Sequence, residues 1–289
     1  MMVINMSDNN FFDLRLPAEM AKVAEQAGCY KATKKKSLSF FLAITAGVFI
    51  GLAFVFYITV ITASPANGLT KLAGGLCFAM GLILVVICGA DLFTSTVLTV
   101  VAKASGLITW RQLIVNWVIV YLGNMAGALF LVALIWGAGQ YMAIGGQWGL
   151  SVLTTADHKL HHTFIEAVCL GTLCNLMVCL AVWMSYSGHS LTDKVVAMLF
   201  PVAMFVASGF EHSIANLFLI PMGIVIRYFA PDAFWHSTGM SAEQFPALTV
   251  HEFIINNLIP VTIGNIIGGG VLVGITYWVI YLNPVNQRH

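Results

Sequence analysis

Apolar residues run almost without interruption through six stretches, 38–62, 69–102, 113–137, 164–186, 195–229 and 253–282, and polar residues are largely confined to the segments between them. Each stretch exceeds the ~20 residues that a helix needs to cross a hydrocarbon core. The pattern predicts an all-α membrane protein with six spans: a transmembrane domain over 38–284, a polar segment 1–37 before it and a tail 285–289 after it. The first 37 residues carry no short apolar run ending in small residues, so no cleavable signal is expected. Within them Pro17, Ala18 and Glu19, followed by Met20, Val23, Ala24 and Ala27, predict a short amphipathic helix. It reads as a surface or packing helix, or as a lid over a pore.

The spacing of small and polar residues repeats. Asn116, Gly123, Asn124 and Gly127 in the third stretch recur as Asn257, Gly264, Asn265 and Gly268 in the sixth, and Gly47 and Gly51 in the first match Gly171 and Asn175 in the fourth. The second and fifth share Gly89-Ala90-Asp91 and Gly209-Phe210-Glu211. The chain therefore reads as two three-span repeats, about 38–137 and 160–282. Because three is odd, the second lies inverted relative to the first.

Both Gly-x-acid triplets fall in the middle of overlong apolar runs, where a lipid-facing carboxylate would cost about 2.5–3.5 kcal/mol. They are expected to face protein, with the second and fifth helices broken at the glycines. The half-helices starting near Thr94 and His212 would aim their N–H groups at a midplane site, which favours an anion. The alternative is that Asp91 and Glu211 accept those same N–H groups as caps. His212, titratable and beside the second break, is the leading candidate for chemistry. Asn175 and Asn265 read equally as site groups and as interhelical hydrogen-bonding groups.

Charge fixes the orientation. Arg15, Lys22, Lys31, Lys34, Lys35, Lys36, Lys103, Arg111, Lys194 and Arg288 fall on one side and only Lys71, Lys159 and Arg227 on the other, which puts both termini in the cytoplasm. Composition agrees with a lipid solvent: 59% of residues are hydrophobic and 9% charged, with mean hydropathy +0.89. A net charge of +1 gives no reason to expect a nucleic-acid partner. Five of the six cysteines lie in apolar stretches and read as buried small hydrophobes, not disulfides. His158, His161 and His162 lack acid or cysteine partners at zinc spacing, so no metal, cofactor or enzymatic activity is expected.

Residues 87–94 (ICGADLFT) and 171–181 (GTLCNLMVCLA) resemble the two signature stretches of the formate/nitrite transporter family, and the likeness takes in 209–216 (GFEHSIAN). That resemblance, spanning nearly the whole chain, implies an aquaporin-like homopentamer in the bacterial cytoplasmic membrane, with a pore in each protomer and a lipid-plugged central hole. It implies formate as substrate, with other small monovalent anions on the same path, in both directions and with proton-coupled import, nitrite or hydrosulfide being the alternative. On it, His212, Thr94 and Glu211 form the pore's proton-handling group, and Asn175, Asn265 and Asn216 its polar groups. Phe78 and Phe205 constrict it toward the periplasm, Leu82, Leu92 and Phe93 toward the cytoplasm with Val178 nearby, and Lys159 attracts anions in the outer vestibule. A neutral-solute facilitator of the aquaporin type would need paired Asn-Pro-Ala half-helices, and Asn283-Pro284-Val285 and Ser64-Pro65-Ala66 do not supply them.

Overall fold

The computed structural model describes residues 14–284; residues 1–13 of the N-terminal segment and the tail 285–289, with Arg288, lie outside the described residues. Every regular element described is helical: α1 (Pro17–Thr33), α2 (Lys36–Ile61), α3 (Gly68–Ile87), α4 (Phe93–Ala104), α5 (Trp110–Gly137), α6 (Gln147–Lys159), α7 (Phe164–Ser185), α8 (Leu191–Ala207), α9 (Ser213–Phe229), α10 (Asp232–Thr238) and α11 (Val250–Tyr281). Among the described residues, α2, α3, α5, α7 and α11 are each long and apolar enough to cross a membrane, and α9 meets α10 at 107°.

Local chemistry sets the ends. Thr109 with Gln112, Thr163 with Glu166 and Ser190 with Asp193 form capping boxes at the starts of α5, α7 and α8. The apolar runs 69–102 and 195–229 do not continue as single helices, because Gly89 and Gly209 take φ of +76° and +74°. Side chains with a Cβ rarely adopt that conformation. Past each glycine, the Ala90 N–H donates to the Val85 carbonyl (2.9 Å) and the Phe210 N–H to Phe205 (3.0 Å), which closes the helix end.

The two interrupted segments are held by one pattern of bonds. Asp91 N–H donates to the Leu42 carbonyl and Glu211 N–H to that of Leu170. The Asn124 amide donates to the carbonyls of Ala43 (2.8 Å) and Asp91 (2.9 Å), and its oxygen accepts from Phe93 N–H (2.8 Å). Asn265 does the same to Gly171 (2.8 Å), Glu211 (3.0 Å) and Ser213 N–H (2.9 Å). Leu42 thus answers to Leu170 and Ala43 to Gly171. The match of Gly47 with Gly171 expected from sequence is off by one helical turn, and Gly47 corresponds to Asn175. The small residues of two packed helices recur every four positions, so the spacing alone does not fix the register.

Glycines at Gly127 and Gly268 let helices touch backbone to backbone: a Cβ there would collide with the carbonyl oxygens of Ile44 and Thr172. The core centres on α9, whose residues Ser213 to Ile220 are all buried. Helix α1 presents Ala21, Ala24 and Gly28 inward and packs on α4 at Thr99 and Ala102, with Arg15 donating to the Tyr186 carbonyl (2.8 Å). The cysteines depart from expectation. Only Cys174 and Cys179 are buried, while Cys88 and Cys169 are exposed because they fall on outward faces of their elements; all are free.

Candidate functional site

The backbone breaks bring His212 and Thr94 together, although 118 positions separate them: His212 Nε2 lies 3.0 Å from Thr94 Oγ1. His212 is also the N-cap of α9, its Nδ1 accepting the Ala215 N–H at 3.1 Å. A nitrogen that accepts carries no proton, so in the neutral ring Nε2 is protonated and donates to Thr94. The Thr94 carbonyl in turn accepts from Asn175 Nδ2 (3.0 Å) and Cys179 Sγ (3.2 Å), and Asn175 also donates to the Asn265 carbonyl (2.5 Å).

His212 sits between two spaces. On one side is a cavity of about 500 Å³ lined by Lys71, Phe78, His158, Lys159, Phe205, Glu211 and Asn216 among others. On the other is a void of about 10 Å³ walled by Ile50, Phe78, Leu82, Leu92, Val178, Val202 and Phe205, too small to hold more than about one water. Phe78 and Phe205 meet edge to face at 6.0 Å, and Phe205 stacks on the His212 ring at 6.0 Å and 20°. The expected constriction residues therefore gather around one point, except Phe93. That ring packs on Tyr121 (4.9 Å) and Trp117 and lines a lateral apolar groove of about 280 Å³, because α4 turns it away from the void toward α5.

The acids are not caps. Glu211 accepts from Lys159 Nζ (2.6 Å), Asn216 Nδ2 (2.7 Å) and Asn257 Nδ2 (3.2 Å), with His162 Nε2 at 3.8 Å. Asp91 pairs with Lys34 at 2.5 Å and Lys31 at 4.0 Å. The N–H groups at the half-helix starts go instead to Asn124, Asn265 and His212, since amide and imidazole acceptors serve there while the buried carboxylates need cations. Lys159 borders the cavity, but in a charge-neutral pair. In the sequence Asn257 and Asn124 stand out as repeat positions and not as site groups; in the structure Asn257 also donates to the Lys159 carbonyl (3.1 Å). The signal was present, as both belong to the repeated Asn spacing. Asn175 and Asn265 line neither space and act as interhelical bonding groups.

His162, outside the spans, has its pKa drawn down by burial, against the nearby Glu211 carboxylate that works to raise it. His158 and His162 meet edge to face at 5.4 Å, and among the described residues no group of three or more His, Cys, Asp or Glu side chains is placed to hold a metal ion.

Comparison with known proteins places this geometry in context. A family model described as formate/nitrite transporter matches residues 18–279. The chain is 68% identical to the formate channel FocA of Escherichia coli (strain K12), over 98% of this chain and 100% of that protein. It is 54% identical to the formate channel FocA of Haemophilus influenzae, over 90% of this chain and 92% of that one. Among solved structures, it resembles a pentameric formate channel with formate bound, with TM-score 0.82 and 57% identity, covering 86% of this chain and 98% of that chain.

Proposed function

Since the chain belongs to the formate/nitrite transporter family, we propose that it is a formate channel of the bacterial cytoplasmic membrane, working as a homopentamer with one pore per protomer. The observation that carries this is the His212–Thr94 contact at the boundary between a wide cavity and a narrow apolar ring. The recurrence of the Asn124 and Asn265 bonds supports two inverted three-helix units, aquaporin-like, in which α3 with α4 and α8 with α9 are interrupted spans. The distribution of lysine and arginine supports cytoplasmic termini.

Formate enters the cavity beside Lys159 and His158, and the phenylalanines strip its water. A bare anion in that low-dielectric ring is costly, whereas formic acid is small and neutral. The balanced step joins one proton from the periplasmic water to one formate. His212 takes up that proton at Nδ1, releasing the Ala215 N–H, and the imidazolium gives its Nε2 proton to the carboxylate oxygen; exchange of the Nδ1 proton for one at Nε2 through cavity water restores the neutral tautomer whose Nδ1 accepts the Ala215 N–H. Export runs the step in reverse or passes the anion directly.

Formate flux into proteoliposomes, above and below neutral external pH and with or without a proton gradient, tests this in the parent and in His212→Asn. Expected are saturable formate flux in the parent and loss of proton-coupled import in the variant with passive conduction retained. Coupled import that survives in His212→Asn removes the relay. Nitrite or hydrosulfide outcompeting formate moves the substrate within the family.

A further inference from the structure

A second large cavity, of about 630 Å³, opens where α1, α2 and α5 converge, far along the chain from His212 and with none of the pore residues in its wall. Lys31, Lys34, Lys36, Arg111, Thr109 and Asn116 line it, and among the described residues no acid does. Asp91 offsets part of this charge through Lys34 and Lys31. Lys36 and Arg111 are exposed and have no carboxylate within ion-pair distance among the described residues.

The surroundings are those of a membrane–water boundary. Phe41, Trp110, Ile114 and Val118, on the same ends of α2 and α5, are exposed, and Lys103 Nζ lies over the Trp110 ring at 5.0 Å. Exposed tryptophan beside cations marks the headgroup level.

One buried group there lacks its partner. Asn116 is 5% exposed, and its amide donates to the Lys31 carbonyl at 3.0 Å, as Asn257 does to Lys159. The Asn257 oxygen accepts from Asn216 at 2.7 Å. The Asn116 oxygen has no donor among the described residues: Thr96 stands where Asn216 would, and its hydroxyl oxygen accepts from Lys31 at 3.5 Å where the Asn216 amide donates. The cavity thus offers cations for an anion and a buried acceptor for a hydroxyl.

We propose that this cavity binds the headgroup of an anionic glycerophospholipid carrying free hydroxyls, with its phosphodiester on Lys36 and Arg111, a hydroxyl toward Asn116 and its acyl chains along Phe41, Ile114 and Val118. A zwitterionic headgroup brings an ammonium into a cationic wall and is disfavoured. The site is independent of the pore chemistry.

The test uses the full chain, purified in its oligomeric state and exchanged into nanodiscs of mixed phosphatidylglycerol and phosphatidylethanolamine, with retained lipid counted by native mass spectrometry. Lys36→Gln/Arg111→Gln is expected to lower retained phosphatidylglycerol about tenfold and leave phosphatidylethanolamine unchanged, while Lys71→Gln changes neither. Unchanged phosphatidylglycerol, or equal loss of both lipids, overturns the proposal. Displacement of the lipid by millimolar glycerol phosphate also overturns it and reassigns the site to a soluble phosphate. If the double variant does not assemble, Arg111→Gln alone is scored in the same way.

Discussion

Glu211 is 1% exposed and still ionisable, and what makes that tolerable is the set of donors around it: an ammonium, two amides and a neighbouring imidazole. Removing one member of a buried charge pair leaves the other uncompensated, typically at a cost of about 3–5 kcal/mol. Glu211→Gln is therefore expected to lower the thermal stability of the detergent-solubilised protein strongly. Adding Lys159→Met should recover more than half of that loss. A double variant no more stable than the single one would mean that the carboxylate acts through Asn216 and Asn257, not through Lys159. His212 poses a different problem, since one ring serves as helix cap and as Thr94 partner at once. A substitution that keeps a cap acceptor, such as His212→Asn, is the one that separates folding from conduction.

At the scale of elements, the half-helices depend on side chains supplied from other helices. Asn265→Leu would leave the Ser213 N–H and the Gly171 and Glu211 carbonyls without their partner, at about 1–3 kcal/mol for each buried group. The expected outcome is a protein that unfolds at markedly lower temperature or fails to assemble, and Asn124→Leu should behave alike because its bonds are the same. A mild effect at one site and a severe one at the other would break the equivalence of the two interrupted segments. Helix α1 docks on α4 through small residues. Deletion of residues 1–29 is accordingly expected to lower stability while leaving the pH dependence of formate flux unchanged. Loss of that pH dependence would make α1 a lid.

For the whole molecule, acid is the informative variable. His162 has a folded pKa below the ordinary histidine value because it is buried, so between that value and about 6.5 the unfolded chain binds more protons than the folded one. Stability from this group is present above the ordinary value and is lost as pH falls toward the folded one. The melting temperature of the parent should drop over that window, and His162→Gln should flatten the drop. A parent curve with no slope there would place His162 in water.

Much of this architecture is legible from the chain because lipid imposes simple rules. Apolar runs of sufficient length and acids that have to face protein are consequences of a solvent that satisfies no polar group. Gly89 and Gly209, His212, and the repeated Asn spacing were visible for that reason. What the sequence did not determine was pairing. Whether Asp91 and Glu211 cap helices or bind lysines, which turn of α2 answers to Gly171, that Phe93 faces Tyr121 and not the ring around Val178, and that Asn116 keeps an unmet acceptor all depend on which atoms the fold brings within 3 Å or so. Those distances join residues far apart in the chain, and no local pattern encodes them, so only the tertiary structure decided them.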